Sequence, residues 1–226
     1  MILNELRLTI ENIVNDYCTE PSIKEALLRA LARPGYALHP ESSCRAGVLV
    51  LEVYRSIRGG ISEGALLGAG GVELVMEACF MFDNVADEEV KPQYRVSSAE
   101  ELSMAISLLA TGIAAVHQAA QHSYSIGSKL ALVSRYVSEF NAACAGQFLD
   151  AHLVGVGSCD SNKALQMTSL KAGGLGKSSA MVGACLAGGT PDVVDLFGEF
   201  GLNLFTYLQL IDDLRDACPV GEMDCD

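Results

Sequence analysis

Tryptophan is absent from this 226-residue chain, proline occurs six times, and Lys and Arg number 15 against 28 Asp and Glu. Each shortage excludes something. The formal net charge of −13 argues against nucleic acid as a partner, because phosphate neutralisation needs clustered Lys and Arg. An anionic ligand would need metal ions as intermediaries, or a local basic cluster working against the global field. No apolar run of about 18 residues escapes interruption by charge or glycine, so no transmembrane helix is expected. The opening stretch "MILNELRLTIENIVNDYC" lacks a signal-peptide pattern. None of the eight cysteines, at 18, 44, 79, 144, 159, 185, 218 and 225, belongs to a C-x-x-C pair. They read as reduced, mostly buried thiols of a cytoplasmic protein. His117 and His122 are five apart, a spacing that does not share a helix face, so the histidines argue against a zinc site.

Half of the residues are hydrophobic, enough for a sizeable core. Strand alternation, internal repeats, low-complexity tracts and linkers are all missing. One all-α domain spanning residues 1–226 is therefore expected. Helical stepping by three and four runs through Leu102, Ile106, Leu109, Ile113 and Val116, and again through Leu130, Val133, Val137, Phe140, Cys144 and Phe148; each reads as an apolar stripe. The pattern predicts helices over 3–18, 22–32, 43–57, 63–87, 98–122, 127–155, 161–171, 175–188 and 191–216. "SSAEE" at 97–101 offers a capping box, and "TPD" at 190–192 offers a Thr cap with proline at the first helical position.

Two stretches break the apolar pattern in the same way. "FDNVAD" (82–87) and "IDDLRD" (211–216) each place carboxylates four apart at the end of a long apolar helix. Residues at that spacing share a helix face. Asp83 with Asp87, and Asp212 with Asp216, could each converge on one ion. An oxygen-rich pocket of this kind suits Mg²⁺, a hard cation that keeps several waters and bridges to phosphates. The plainer reading is that each pair sits in solvent at a helix end. Against it, carboxylates are disfavoured at helix C-termini by the dipole, and here two such pairs occur.

These stretches resemble the two aspartate-rich motifs of the trans-isoprenyl diphosphate synthases, or polyprenyl synthetases. "YLQLIDDLRD" (207–216) follows the second motif, with Gln209 three residues ahead of the D-D-x-x-D pattern. "GQFLD" (146–150) resembles the family's G-Q-x-x-D, and "LKAGGLGKSSAMVGACLAGG" (170–189) its lysine-bearing segment, with Lys171 at the family lysine. The resemblance runs from about residue 43 to the end.

The resemblance implies a single-domain antiparallel helical bundle around a deep central cavity, the isoprenoid synthase fold, as a homodimer. It implies a Mg²⁺-dependent prenyltransferase that ionises an allylic prenyl diphosphate. Asp83 and Asp87 would hold two metal ions and Asp212 another, with Asp216 in support. Lys171 and Gln209 would contact the diphosphate or stabilise the departing charge. Gln147, Arg45, Lys91, Arg95 and Lys177 are further candidate substrate-binding residues. Ionising an allylic C–O bond requires neutralisation of the leaving diphosphate, which metals and a lysine supply without a protein nucleophile. An apolar interior would keep water from the cation.

Four departures bear on the second substrate. Asn84 stands at the second position of the first motif. The family's Arg-Arg-Gly is replaced by "KPQY", with Lys91 and Arg95 near its place. The family's G-K-R-x-R-P aligns with "ESSCRA" (41–46), leaving only Arg45, with Ser42 and Ser43 for the basic pair. The chain also ends soon after the second motif, which suggests a C-terminally truncated form. The lost basic residues favour a terpene cyclase, or transfer to an acceptor other than isopentenyl diphosphate, over ordinary elongation. A non-catalytic partner subunit of an active synthase is a further alternative. The P-loop look of "KAGGLGKSS" (171–179) is a decoy: Lys171 occupies the place of the required first glycine, and no strand precedes it.

Overall fold

The computed structural model describes residues 2–88, 90, 92–122, 126–153 and 160–217, without the side chains of 126–131, 216 and 217. Helices α1 (Ile2–Tyr17), α2 (Pro21–Leu31), α3 (Arg45–Arg58), α4 (Glu63–Ala86), α5 (Ser98–Ala120), α6 (Ile126–Leu153), α7 (Ser161–Thr168), α8 (Gly174–Leu186) and α9 (Pro191–Ala217) follow in order. These bounds track the predicted helices closely, and the described residues contain no strand. The start signals act as expected. Ser97 caps α5 with the reciprocal Glu100 bonds of a capping box, and α9 opens at Pro191.

The apolar helix α4 is the centre of the bundle, packed on α1, α3, α5 and α8. By length and composition α4 and α5 could each cross a membrane, so interruption by glycine and charge is a weaker criterion than it looks. Burial separates the cases: 72% of the most apolar window of α4 lies inside the fold, against 44% for α5.

Two expectations need correction. The predicted α5 stripe is not its core face: Leu102 is 40% and Ile106 55% exposed. The buried face instead carries Met104, Ala105, Leu108, Gly112 and Ala115. Small residues win that face because α4 and α5 cross closely. A β-carbon on Gly112 would stand 2.5 Å from the Gly71 carbonyl oxygen, well inside van der Waals contact. On α6, likewise, Val137 and Phe148 are exposed.

The second correction concerns residues 172–174. The glycine pair predicts a break there, but Gly173 and Gly174 keep helical φ values of −59° and −60°. The chain runs from α7 into α8 through a π turn at Ser169–Gly173. Such single π turns recur at functional sites, and here Lys171 sits in its middle.

Candidate functional site

A cavity of about 730 Å³ opens between α4, α6, the π turn, α9 and the start of α3, a size typical of small-molecule sites. Its walls are mostly apolar, with Phe80, Leu109, Phe140, Leu175 and Phe205 among them. Cys79 and Met76 line it as well, whereas Met81 lies wholly in the core. Polar groups gather at one end.

Asp83 and Lys171 form the centre of that end. Lys171 Nζ donates to Asp150 Oδ2 at 2.7 Å and stands 3.3 Å from Asp83 Oδ2. An ammonium held between two carboxylates, all partly buried, marks a position that oxygen atoms have prepared for a cation. Burial pushes the Asp83 carboxyl above the usual aspartate range, more than the Lys171 charge pulls it down. Burial alone would lower the Lys171 pKa, but the Asp150 hydrogen bond and the charges of Asp83 and Asp150 raise it. Each shift reflects the same competition between desolvation and pairing.

Local packing explains the placement of Lys171. Gly146, the first residue of "GQFLD", lies so close to the π turn that a β-carbon would collide with the Lys171 backbone nitrogen. Gly176 and Gly201 likewise meet where α8 crosses α9, each leaving no room for a side chain against the other's carbonyl. The glycines of "KAGGLGKSS" therefore serve helix contact inside a continuous helical segment.

Asp212 and Gln209 line the same cavity from α9. Asp212 Oδ2 accepts from Arg45 at 3.1 Å, and Gln209 donates to Asp213 Oδ1 at 2.7 Å. Gln147 also lines the space. Thus Asp83, Lys171, Gln147, Gln209, Asp212 and Arg45 share one cavity. Asp87 lies one turn beyond Asp83, exposed at the end of α4. Asp216 is in the last turn of α9 and its side chain is outside the described set; Lys91 is outside the described residues. Arg95 is exposed, at a left-handed φ of 51°, and does not line the cavity. Nor does Lys177, which pairs with Glu139 at 3.3 Å and Glu199 at 3.8 Å.

Several roles are not legible in the sequence. Asp150 ends a motif whose Gln147 was singled out, yet Asp150 is the one that bonds Lys171. Asn84 donates to Tyr36 Oη at 2.7 Å, tying the first motif to the segment between α2 and α3. Glu73 and Glu77, both on the cavity wall, are 3% and 1% exposed. Glu73 Oε2 accepts from the Gly47 backbone N–H at 2.7 Å. Their spacing of four inside an apolar run is the signal they leave in the sequence. Arg33 makes a buried pair with Glu101, Nη1 reaching both carboxylate oxygens at 2.9 Å, and stacks 4.4 Å from the Tyr94 ring centre. That cluster fixes the α2 end and the "PQY" turn against α5.

The donor set suits a hard cation: its groups are carboxylate oxygens, with no thiolate or imidazole among them. No three described His, Cys, Asp or Glu side chains converge on one point by themselves. The residues therefore fit Mg²⁺ that takes its remaining ligands from water and substrate phosphate, as that ion commonly does.

The family model described as "Polyprenyl synthetase" matches residues 42–222. A decaprenyl-diphosphate synthase of Dictyostelium discoideum is 39% identical over 71 residues, 31% of this chain and 15% of that protein. A crystal structure of a geranylgeranyl pyrophosphate synthase superposes with a TM-score of 0.76 at 19% identity, over 95% of this chain and 64% of that one. The geranylgeranyl pyrophosphate synthetase of the archaeon Geoglobus acetivorans gives 0.78 at 21% identity, over 95% and 68%. At such identities the structural likeness is one of fold.

Proposed function

The chain belongs to the polyprenyl synthetase family, and on that premise we propose that it is a Mg²⁺-dependent prenyltransferase that ionises an allylic prenyl diphosphate in the cavity beside Asp83. The observation that carries this reading is the Lys171 ammonium between Asp83 and Asp150, in one apolar cavity with Asp212 and Gln209. Asp83, Asp87, Asp212 and Asp216 would hold the metal, which when bound would neutralise the leaving diphosphate. Lys171 supplies a fixed positive charge where that negative charge develops, and Gln209 an amide donor beside it. Arg45 and Gln147, which line the cavity, would steady the diphosphate. Phe80, Leu109, Phe140 and Phe205 enclose the prenyl chain and exclude water from the cation. As in the family, a homodimer is the expected assembly and the cytoplasm the expected location.

A second reading, transfer to an acceptor other than isopentenyl diphosphate or cyclisation, draws on one observation. The wall that would take a second diphosphate presents Ser42 and Ser43, and its one arginine, Arg45, is paired with Asp212. A non-catalytic subunit would have less use for the Asp83–Lys171–Asp150 arrangement. The test is product analysis with dimethylallyl, geranyl, farnesyl and geranylgeranyl diphosphates, with and without isopentenyl diphosphate. Longer prenyl diphosphates would establish elongation. Diphosphate release without them would establish the second reading, and no release from any substrate would sink both.

A further inference from the structure

Asp83 opens the last turn of α4 and Asp87 caps it, and helix ends fray. The Asp87 N–H bonds the Asp83 carbonyl at 2.8 Å, but no basic residue stands in that turn to oppose the dipole. Two carboxylates serve one ion only while their spacing is held closely. Support for that spacing has to come from outside the helix.

Asn84 supplies it. It lies about 100° around the helix from Asp83, so its side chain leaves the face that Asp83 and Asp87 share. Its amide nitrogen donates to Tyr36 Oη at 2.7 Å, a partner 48 residues away. Neither residue lines the main cavity. Both line a recess of about 250 Å³ that also carries Phe80 and Asp83, so the bond lies behind Asp83.

Tyr36 is a firm post for that bond. It is 7% exposed, its N–H bonds the Arg33 carbonyl at 3.0 Å, and its own carbonyl accepts from His39 at 3.0 Å. On either side, Leu38 N–H returns to the Leu31 carbonyl at 2.9 Å, and the buried Arg33–Glu101 pair fixes the start of the segment. Burial, with the charges of Glu101 and Glu77 in addition, pushes the Tyr36 phenol up to about 12. The hydroxyl is therefore neutral at physiological pH, and its oxygen accepts from an uncharged amide.

Resting on the prenyl-transfer reading of this cavity, we infer that Asn84 and Tyr36 are positioning residues whose hydrogen bond fixes the last turn of α4, and with it the Asp83 and Asp87 carboxylates that would hold the metal. Neither residue touches the metal or the substrate. The bond acts on how well the two carboxylates are aimed.

The test is Mn²⁺ binding to the full chain in the presence of inorganic diphosphate, read from the electron paramagnetic resonance signal of free Mn²⁺. Tyr36→Phe keeps the ring and loses the acceptor; Asn84→Leu keeps the volume and loses the donor. Each should weaken Mn²⁺ binding by about fivefold, and the double variant should be no weaker than the worse single one, because both remove the same bond. Gly59→Ala, strained at a left-handed φ of 79° and away from the cavity, should bind Mn²⁺ as the parent does. Unchanged affinity in both single variants, losses that multiply in the double variant, or an equal loss in Gly59→Ala would each overturn the inference. Diphosphate release from farnesyl diphosphate on the same preparations separates the two ideas. Release with Mn²⁺ affinity indifferent to Tyr36 and Asn84 removes only their positioning role. Weakened Mn²⁺ binding in both variants, with no release even by the parent, keeps that role and removes the prenyl-transfer reading. A parent that binds no Mn²⁺ removes both.

Discussion

Lys171 Nζ donates to Asp150 Oδ2 at 2.7 Å, and this bond ties the π turn to α6 on the wall where Asp83 ends α4. The same nitrogen is the positive charge nearest Asp83. Replacing it with Met removes the charge and the hydrogen bond that lower the Asp83 pKa, leaving burial and the like charges of Asp87 and Asp150 to raise it. The form of Asp83 that would hold the proposed metal is the carboxylate. Activity should therefore fall away at a higher pH on acidification in Lys171→Met than in the parent, and kcat at the optimum should fall by about 100-fold. A pH–rate profile of diphosphate release checks both.

Gly146 and the backbone of Lys171 occupy adjoining space with no allowance for a methyl group. Gly146→Ala must push the π turn away from α6 and carry the lysine with it. We expect a loss of about 1–3 kcal/mol in urea unfolding, together with a fall in kcat at nearly unchanged secondary structure. Gly59→Ala, at a left-handed φ of 79° with open space around it and away from the cavity lining, should lower stability through backbone strain alone and leave kcat near the parent value.

Arg33 and Glu101 are 9% and 1% exposed on their side chains. Removing one partner of such a pair leaves a buried charge, at a cost of about 3–5 kcal/mol. Arg33→Met should therefore unfold at markedly lower urea than the parent, while the double variant Arg33→Met/Glu101→Leu should recover much of the loss. Equal destabilisation of the two variants would show that the charges are not what matters there.

Glu73 and Glu77 tie stability to pH in a direction opposite to most carboxylates. Burial raises the Glu73 carboxyl to about 7 and the Glu77 carboxyl well above the usual range. The fold thus binds more protons than the unfolded chain between the ordinary glutamate range and those raised values. Their contribution is fully present below that ordinary range and is lost as pH rises through the raised values, about 7 for Glu73. Tm should decline from about pH 5.5 to about pH 8.5, and Glu77→Gln should shrink that decline. A Tm that rises over the interval in the parent would contradict the assignment.

Much of the fold was legible because large apolar residues and caps mark helices clearly. Ser97 with Glu100, and Pro191, set starts that the structure keeps. The orientation of α5 was not legible. Leu102 and Ile106 outweigh Ala105, Gly112 and Ala115 on any hydrophobicity scale, yet only small residues allow α4 so near. Gly173 and Gly174 misled in the opposite sense, since glycine marks helix ends in isolation and close contacts within a bundle. At the site, residues on a repeating motif such as Asp83, Lys171 and Asp212 could be found by spacing. Tyr36, Asn84 and Asp150 could not, because their roles depend on partners 48 and 21 residues away.

The most direct test is Mg²⁺-dependent release of diphosphate from farnesyl diphosphate by the purified chain, compared with Asp83→Asn and Asp212→Asn. The parent should release diphosphate until chelation abolishes it, and both variants should lose at least about 100-fold with helical content unchanged. Release that survives chelation, or that either variant retains at the parent rate, would contradict it.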